Sequence, residues 1–216
     1  MESNKENTIV ASICLIFFVI IVILFWKSPI ATPATEIKKA EILVRAENHM
    51  TGRKEAKVTL VEFGDYQCPA CAIVGKEITK VLDAYKTNPE FNYVFRNFPL
   101  QQHKNAVAAA EAAESAGAQG KYFEMEDILY ANQSEWSESL EPLTFFKKYA
   151  EGMDLDMVKF NDNMSSHAWR SRIDADSADG NAIEINHTPT IYINGVEQTD
   201  NSFEALKKAI DSNLNK

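Results

Sequence analysis

Two of the three cysteines in the chain are separated by two residues, as Cys68-Pro69-Ala70-Cys71. A pair at this spacing in a cysteine-poor chain is a redox or metal dithiol rather than one arm of a disulfide scaffold. The species that attacks a disulfide is the thiolate, yet a free cysteine, with a pKa of about 8.5, is mostly protonated at neutral pH. An anion at Cys68 therefore needs something to stabilise it.

The flanking pattern supplies that stabiliser. Residues 58–63, Val-Thr-Leu-Val-Glu-Phe, form a short, β-branched, nearly continuous apolar run, the pattern of a central strand buried on both faces. Gly64 and Asp65 mark its end. Beyond the motif, Cys71, Val74, Ile78, Val81, Leu82 and Tyr85 recur at three- and four-residue spacing, one apolar stripe on an amphipathic helix. The dithiol thus sits at a strand-to-helix junction, where the Cys68 sulfur can face unpaired backbone N–H groups and the positive end of the helix macrodipole. Pro69 suits the first helical position, because its missing N–H is one the helix would leave unpaired. This arrangement makes Cys68 the exposed nucleophile and Cys71, one turn in, the more buried resolving thiol that closes an internal disulfide.

A second strand is expected over residues 91–98, where Phe91, Tyr93 and Phe95 alternate with polar Asn92 and Arg96. Strand, helix and strand imply a right-handed parallel crossover. From about residue 103 to residue 180 the pattern becomes alanine-rich, charged and helical, interrupted by Gly117, Gly120, Pro142 and Gly152, and reads as a helical insertion. The tail returns to sheet. Residues 190–193 are β-prone, Asn194-Gly195 is a two-residue hairpin signal, and Val196 begins a return strand. Asn201 and Ser202 offer caps for a last helix whose buried stripe is Phe203, Leu206, Ile210 and Leu214.

With 216 residues, 45% hydrophobic and 25% charged, the chain has the length and composition of one globular domain with accessories. A net charge of -9 and the absence of a basic stripe argue against nucleic acid as a partner. After a short tail, residues 1–8, the uncharged apolar run 9–26 is long enough for a transmembrane anchor. It exceeds the h-region of a cleaved signal peptide, about 7–15 residues, and residues 31–34 make a poor cleavage site. Cys14 lies within the run as a membrane-buried thiol. Ile13 before it, and most of the apolar run after it, do not fit a lipoprotein signal. Residues 27–39, broken by Pro29 and Pro33, form a stalk, and residues 40–216 form the domain. The domain is placed on the extracytoplasmic side of the cell membrane as a single-pass protein, since long domains translocate largely regardless of flanking charge and a lone redox dithiol fits an oxidising compartment. Lys27, Lys38 and Lys39 after the span, against Lys5 before it, oppose that orientation.

The segment from Val58 through Gly64-Asp65-Tyr66-Gln67 to Cys71 resembles the active-site segment of the DsbA-like disulfide oxidoreductases. Phe98-Pro99-Leu100 followed by His103, then residues 119–125 (Gln-Gly-Lys-Tyr-Phe-Glu-Met), then Thr188-Pro189-Thr190, resemble later segments of that family in the same order. The resemblance spans about residues 43–214. It implies an α/β thioredoxin fold with an inserted helical subdomain, and a cis Thr188-Pro189 bond beside the two sulfurs. It also implies that Thr188 contacts the sulfurs and the extended substrate chain. Glu62 matches the position of a buried acid in thioredoxin-like proteins; strand alternation puts it on one face with Val58 and Leu60. There it would carry the proton of Cys71, or else reach solvent or pair with a lysine. Family members often carry glycine just before the Thr-Pro pair, whereas this chain has Asn186 and His187. His187 would modulate the Cys68 thiolate or serve as a surface loop residue. His103 reads as structural, and His49 and His167 carry no motif.

The function expected is that of an oxidase that passes its Cys68–Cys71 disulfide, its only redox group, to reduced or unfolded secreted proteins and is recharged by a membrane redox partner. A reductase or isomerase would use the same chemistry. A metal-binding or metallochaperone module built on Cys68, Cys71 and His187 is the alternative of another class, and it lacks a fourth ligand.

Overall fold

Val58–Gly64 forms the first strand, β1, and every one of its residues but Thr59 is buried, as a β-branched run between two layers should be. The computed structural model describes residues 42–216; the expected tail, anchor and stalk, with Cys14, lie outside them. Helix α1 (Pro69–Tyr85) leads from β1 to β2 (Phe91–Asn97), which pairs with β1 in parallel, Leu60 opposite Tyr93 and Glu62 opposite Phe95. Strand β3 (Thr190–Ile193) pairs antiparallel with β1, and β4 (Val196–Gln198) with β3, giving the order β2-β1-β3-β4. Asn194 and Gly195 both take positive φ, 48° and 82°, the backbone that a two-residue hairpin with the native twist requires.

Between β2 and β3 run six helices: α2 (Ala106–Gly117), α3 (Tyr122–Ala131), α4 (Gln133–Trp136), α5 (Pro142–Gly152), α6 (Met157–Ser166) and α7 (Arg170–Ala182). This is the expected helical insertion. Helix α2 lies at its centre because Ala109, Ala110, Ala112, Ala113 and Ala116 are buried and small enough for α3, α5 and α6 to close around it. The last helix, α8 (Phe203–Leu214), packs Leu206 and Ile210 toward α1 and β1.

Packing decides the environment of two polar positions. The alternation in β2 does not mark a solvent face, for Asn92 and Arg96 are both 0% exposed. Their side of the sheet is covered by α7 and by the segment before β1. The Arg96 guanidinium donates to Asp176 Oδ1 at 2.7 Å, to Asp179, and to the carbonyls of Ile42 and Leu43, with the Phe63 ring beneath it. At the start of α8, Ser202 holds the N-cap position without a side-chain bond. Glu77 of α1 takes the orphan donor instead, accepting from the Phe203 N–H at 3.0 Å, and the Asn201 side-chain oxygen is buried without a partner. Packing of α8 on α1 delivers a stronger, charged acceptor than the local hydroxyl.

Candidate active site

Cys68 is the N-cap of α1, in extended backbone, and Pro69 follows in the first turn, so the chain enters the helix at the nucleophile itself. The turn before it is tied by Asp65. Its carbonyl accepts from the Cys68 N–H at 3.0 Å, and its buried carboxylate accepts from the N–H groups of Gln67 (2.7 Å) and Leu100 (2.8 Å) and meets His103 Nδ1 at 2.6 Å. His103 is thereby a clamp between the motif and the Phe98-Pro99-Leu100 segment. Gly64 allows the close approach at the end of β1, since a Cβ there would stand 2.5 Å from the Phe95 ring.

The helical insertion also grips this turn. Gln133 Nε2 donates to the carbonyls of Tyr66 (2.7 Å) and Cys68 (3.0 Å), while Gln67 donates to the Ser137 carbonyl and accepts from the Asn105 N–H.

Both cysteines are free thiols. Cys71 is 0% exposed and Cys68 is 7%, so the nucleophile is the less buried of the two but not the open group expected. The loop before β3 covers it. The Cys68 sulfur lies 3.5 Å from the Thr188 carbonyl oxygen, and the Thr188-Pro189 bond is cis. Pro69 and Ala70 beside it are exposed.

The pair is electrostatically split. The Cys68 thiol is brought down to about 5, first by the bond that the Cys71 thiol donates to its sulfur, then, against the cost of burial, by Thr188 and by the backbone N–H groups of Cys71 and Ala70. As a thiol, Cys68 donates to the Thr188 carbonyl; as a thiolate it can accept from the Thr188 hydroxyl, which is buried with no other partner. Burial pushes the Cys71 thiol far up, and its bond to Cys68 and the charge of Glu62 add to that.

Glu62 is 1% exposed, on the face of β1 shared with Leu60, and does not reach solvent or a lysine. Its Oε2 accepts from the Tyr93 hydroxyl at 2.9 Å and its Oε1 has no partner. Burial raises its carboxyl to about 7, against the pull of the Tyr93 bond. His187, in contrast, is exposed, bonds to Asn186 at 3.0 Å, and is not among the groups that lower Cys68. It does not join the two sulfurs. Among the described residues no group of three or more histidine, cysteine or acidic side chains is placed to hold a metal, so the proposed trio of ligands does not assemble.

Sequence reasoning missed Asp65, Tyr93, Glu126 and Gln133. Tyr93 reads as one more core aromatic. Glu126 left a usable signal: it stands four residues after Tyr122 and three before Leu129, inside the buried stripe of α3.

A dithiol with one acidified and one buried sulfur, at the first turn of the helix after a central strand and opposite a cis-proline loop, defines a thioredoxin-fold thiol-disulfide oxidoreductase. The chain belongs to the thioredoxin family, whose profile matches residues 45–212. It is similar, at 27% identity over 83% of its own length and 84% of the relative's, to a probable disulfide bond formation protein D of Bacillus cereus. It is 37% identical, over 76% of its length, to the Na(+)/H(+) antiporter NhaA 1 of Salinispora arenicola, of which it spans only 24%. The fold is shared with alpha-DsbA1 of Wolbachia pipientis, at TM-score 0.72 and 19% identity over 81% of this chain and 94% of that one.

Proposed function

We propose that the protein is a membrane-tethered disulfide oxidase of the DsbA type, held by residues 9–26 and 27–39 and working outside the cell membrane on reduced secreted proteins. The observation that carries this is the placement of Cys68 at the N-cap of α1, 3.5 Å from Thr188 of the cis-proline loop, with Cys71 fully buried behind it, a setting that lowers the Cys68 thiol and raises that of Cys71. A stabilised thiolate favours the reduced enzyme, and a stable reduced form makes the disulfide form a strong oxidant.

In the reaction, a substrate thiolate attacks the Cys68 sulfur of the Cys68–Cys71 disulfide. That bond breaks, a mixed disulfide forms at Cys68, and Cys71 leaves with the electron pair. Cys71 is too basic to leave as an anion in its apolar setting, so Glu62, at about 7, gives it a proton. A second substrate thiolate then attacks the substrate sulfur, and Cys68 leaves as the thiolate that its surroundings favour. The substrate gains a disulfide and the enzyme becomes a dithiol, which a membrane redox partner reoxidises. Thr188 and cis Pro189 present a backbone edge to the substrate chain.

The test is the reduction potential of the Cys68–Cys71 pair in the full chain, with Cys14→Ser to silence the third thiol, equilibrated in glutathione buffers and read by alkylation. A value more oxidising than the glutathione couple is expected. A strongly reducing value makes the protein a reductase.

A further inference from the structure

Glu62 is not the only acid at Tyr93. The Tyr93 hydroxyl lies 2.9 Å from Glu62 Oε2 and 2.9 Å from Glu126 Oε1. All three residues are buried. A phenol has one proton and donates to one acceptor at a time. Two carboxylates cannot both be satisfied by it, and two negative charges this near in an apolar layer repel. Both short contacts are hydrogen bonds only when one carboxyl carries a proton and donates it to the phenol oxygen, while the phenol donates to the other. Transfer between the two acids then needs only that hydrogens shift along bonds already made.

The two ends of this chain of bonds differ. Glu62 lies close enough to Cys71 for its charge to act on that thiol, and its second oxygen, like that of Glu126, is buried without a partner. Glu126 lines a groove of about 260 Å³ between α1 and α3, together with Lys76, Thr79, Asp127 and Tyr130. Of the other titratable groups near the bonds, Tyr66, Tyr122 and Tyr130 are kept neutral by burial; the groups that can carry charge include the two acids, the two cysteines, Asp127 and Lys76 at the groove, Asp65 toward Tyr130, and Glu114 and Asp176 toward Tyr122.

We propose that Tyr93 and Glu126 form a proton port that joins Glu62 to solvent in the groove between α1 and α3. The proposal rests on the reading of Glu62 as the proton carrier for Cys71. When Cys71 leaves the disulfide and takes the Glu62 proton, both acids are left ionised; water in the groove then gives a proton to Glu126, Glu126 passes one to the Tyr93 oxygen, and Tyr93 passes its own to Glu62. No electron moves in this relay, and reoxidation of the enzyme runs it backward. Tyr93 and Glu126 touch neither sulfur nor substrate, so they act through Glu62.

The experiment follows release of Cys71 from the disulfide of the full chain in detergent, with reduced glutathione as the attacking thiol and rapid alkylation as the readout, across pH 5 to 9 (about the range in which a carboxyl raised by burial titrates). Glu126→Gln and Tyr93→Phe, both close in shape to the native residues, are expected to slow release about tenfold near neutrality and flatten the pH profile. Acetate or imidazole in the buffer is expected to restore the rate of Glu126→Gln. If both variants keep the wild-type profile while Glu62→Gln loses it, the port is wrong and the role of Glu62 stands. If Glu62→Gln keeps it too, both fall. Should Tyr93→Phe not fold, carboxyl NMR decides: Glu62 is expected to titrate in two coupled steps in the wild type and in one in Glu126→Gln, and an identical titration in both overturns the port.

Discussion

The sulfur of Cys68 rests 3.5 Å from the carbonyl oxygen of Thr188, a residue 120 positions later in the chain. The same residue offers a hydroxyl with no other partner. Thr188→Val keeps the shape of the side chain and removes that donor. Its Cys68 should titrate above the wild-type value, and thiolate absorbance of the reduced protein measures this.

Because Cys68 ionises at about 5, its alkylation rate should stay flat from neutrality down to mildly acid pH and fall as pH passes through about 5. The stability sign follows from the same depression. Below about 5 the thiol is protonated in both folded and unfolded chains and contributes nothing. Above it the folded form alone is ionised, so the stabilisation of the reduced protein grows until the unfolded cysteine ionises near its ordinary value of 9.0. Urea midpoints of reduced wild type and Cys68→Ala should therefore diverge as pH rises from 5 toward 9.0.

Glu62 has the opposite sign. Its carboxyl is raised from 4.5 to about 7, so the stability it contributes is complete below 4.5 and is lost as pH rises through about 7. Glu62→Gln should be more stable than wild type at pH 8, a value above that rise, by roughly 3 kcal/mol. The same variant should resolve mixed disulfides on the order of a hundredfold more slowly. Denaturant melts and quenched-flow alkylation check the two halves, and an unchanged exchange profile across pH would remove Glu62 from the chemistry.

The buried cluster at Arg96 predicts a purely structural effect. Arg96→Leu leaves the carboxylates of Asp176 and Asp179 under cover without their guanidinium and should cost about 3–5 kcal/mol. Arg45 remains on Asp179 and offsets part of that. Thermal melts measure the loss. The titration of Cys68 should not move, since Arg96 lies on the other face of the sheet.

The order of elements was readable from periodicity. Residues 58–63 announce a buried strand, the stripe from Cys71 to Tyr85 announces the helix, and Asn194-Gly195 announces the hairpin, because each is a local property of the chain. The cis loop came only through resemblance, for nothing near Thr188 in sequence says that it will meet Cys68. The burial of Asn92 and Arg96 was not legible, because a polar alternation looks the same whether its second face meets water or a covering helix that brings Asp176 and Asp179. The Ser202 cap failed for a similar reason: its replacement, Glu77, is 126 residues from the helix start it serves. Glu126 was legible in principle, since its spacing from Tyr122 and Leu129 puts it on the buried stripe of α3, but its partner Tyr93 lies 33 residues away on another element.

Gln133 holds the Tyr66 and Cys68 carbonyls with a single amide group. A chimera that transplanted the helices of a relative onto this sheet would therefore inherit the cysteines intact and still lose the turn that aims them, unless the graft carried a glutamine at that point. The boundary drawn between scaffold and insertion in the sequence is not a boundary for protein engineering, because the reactive turn belongs to both.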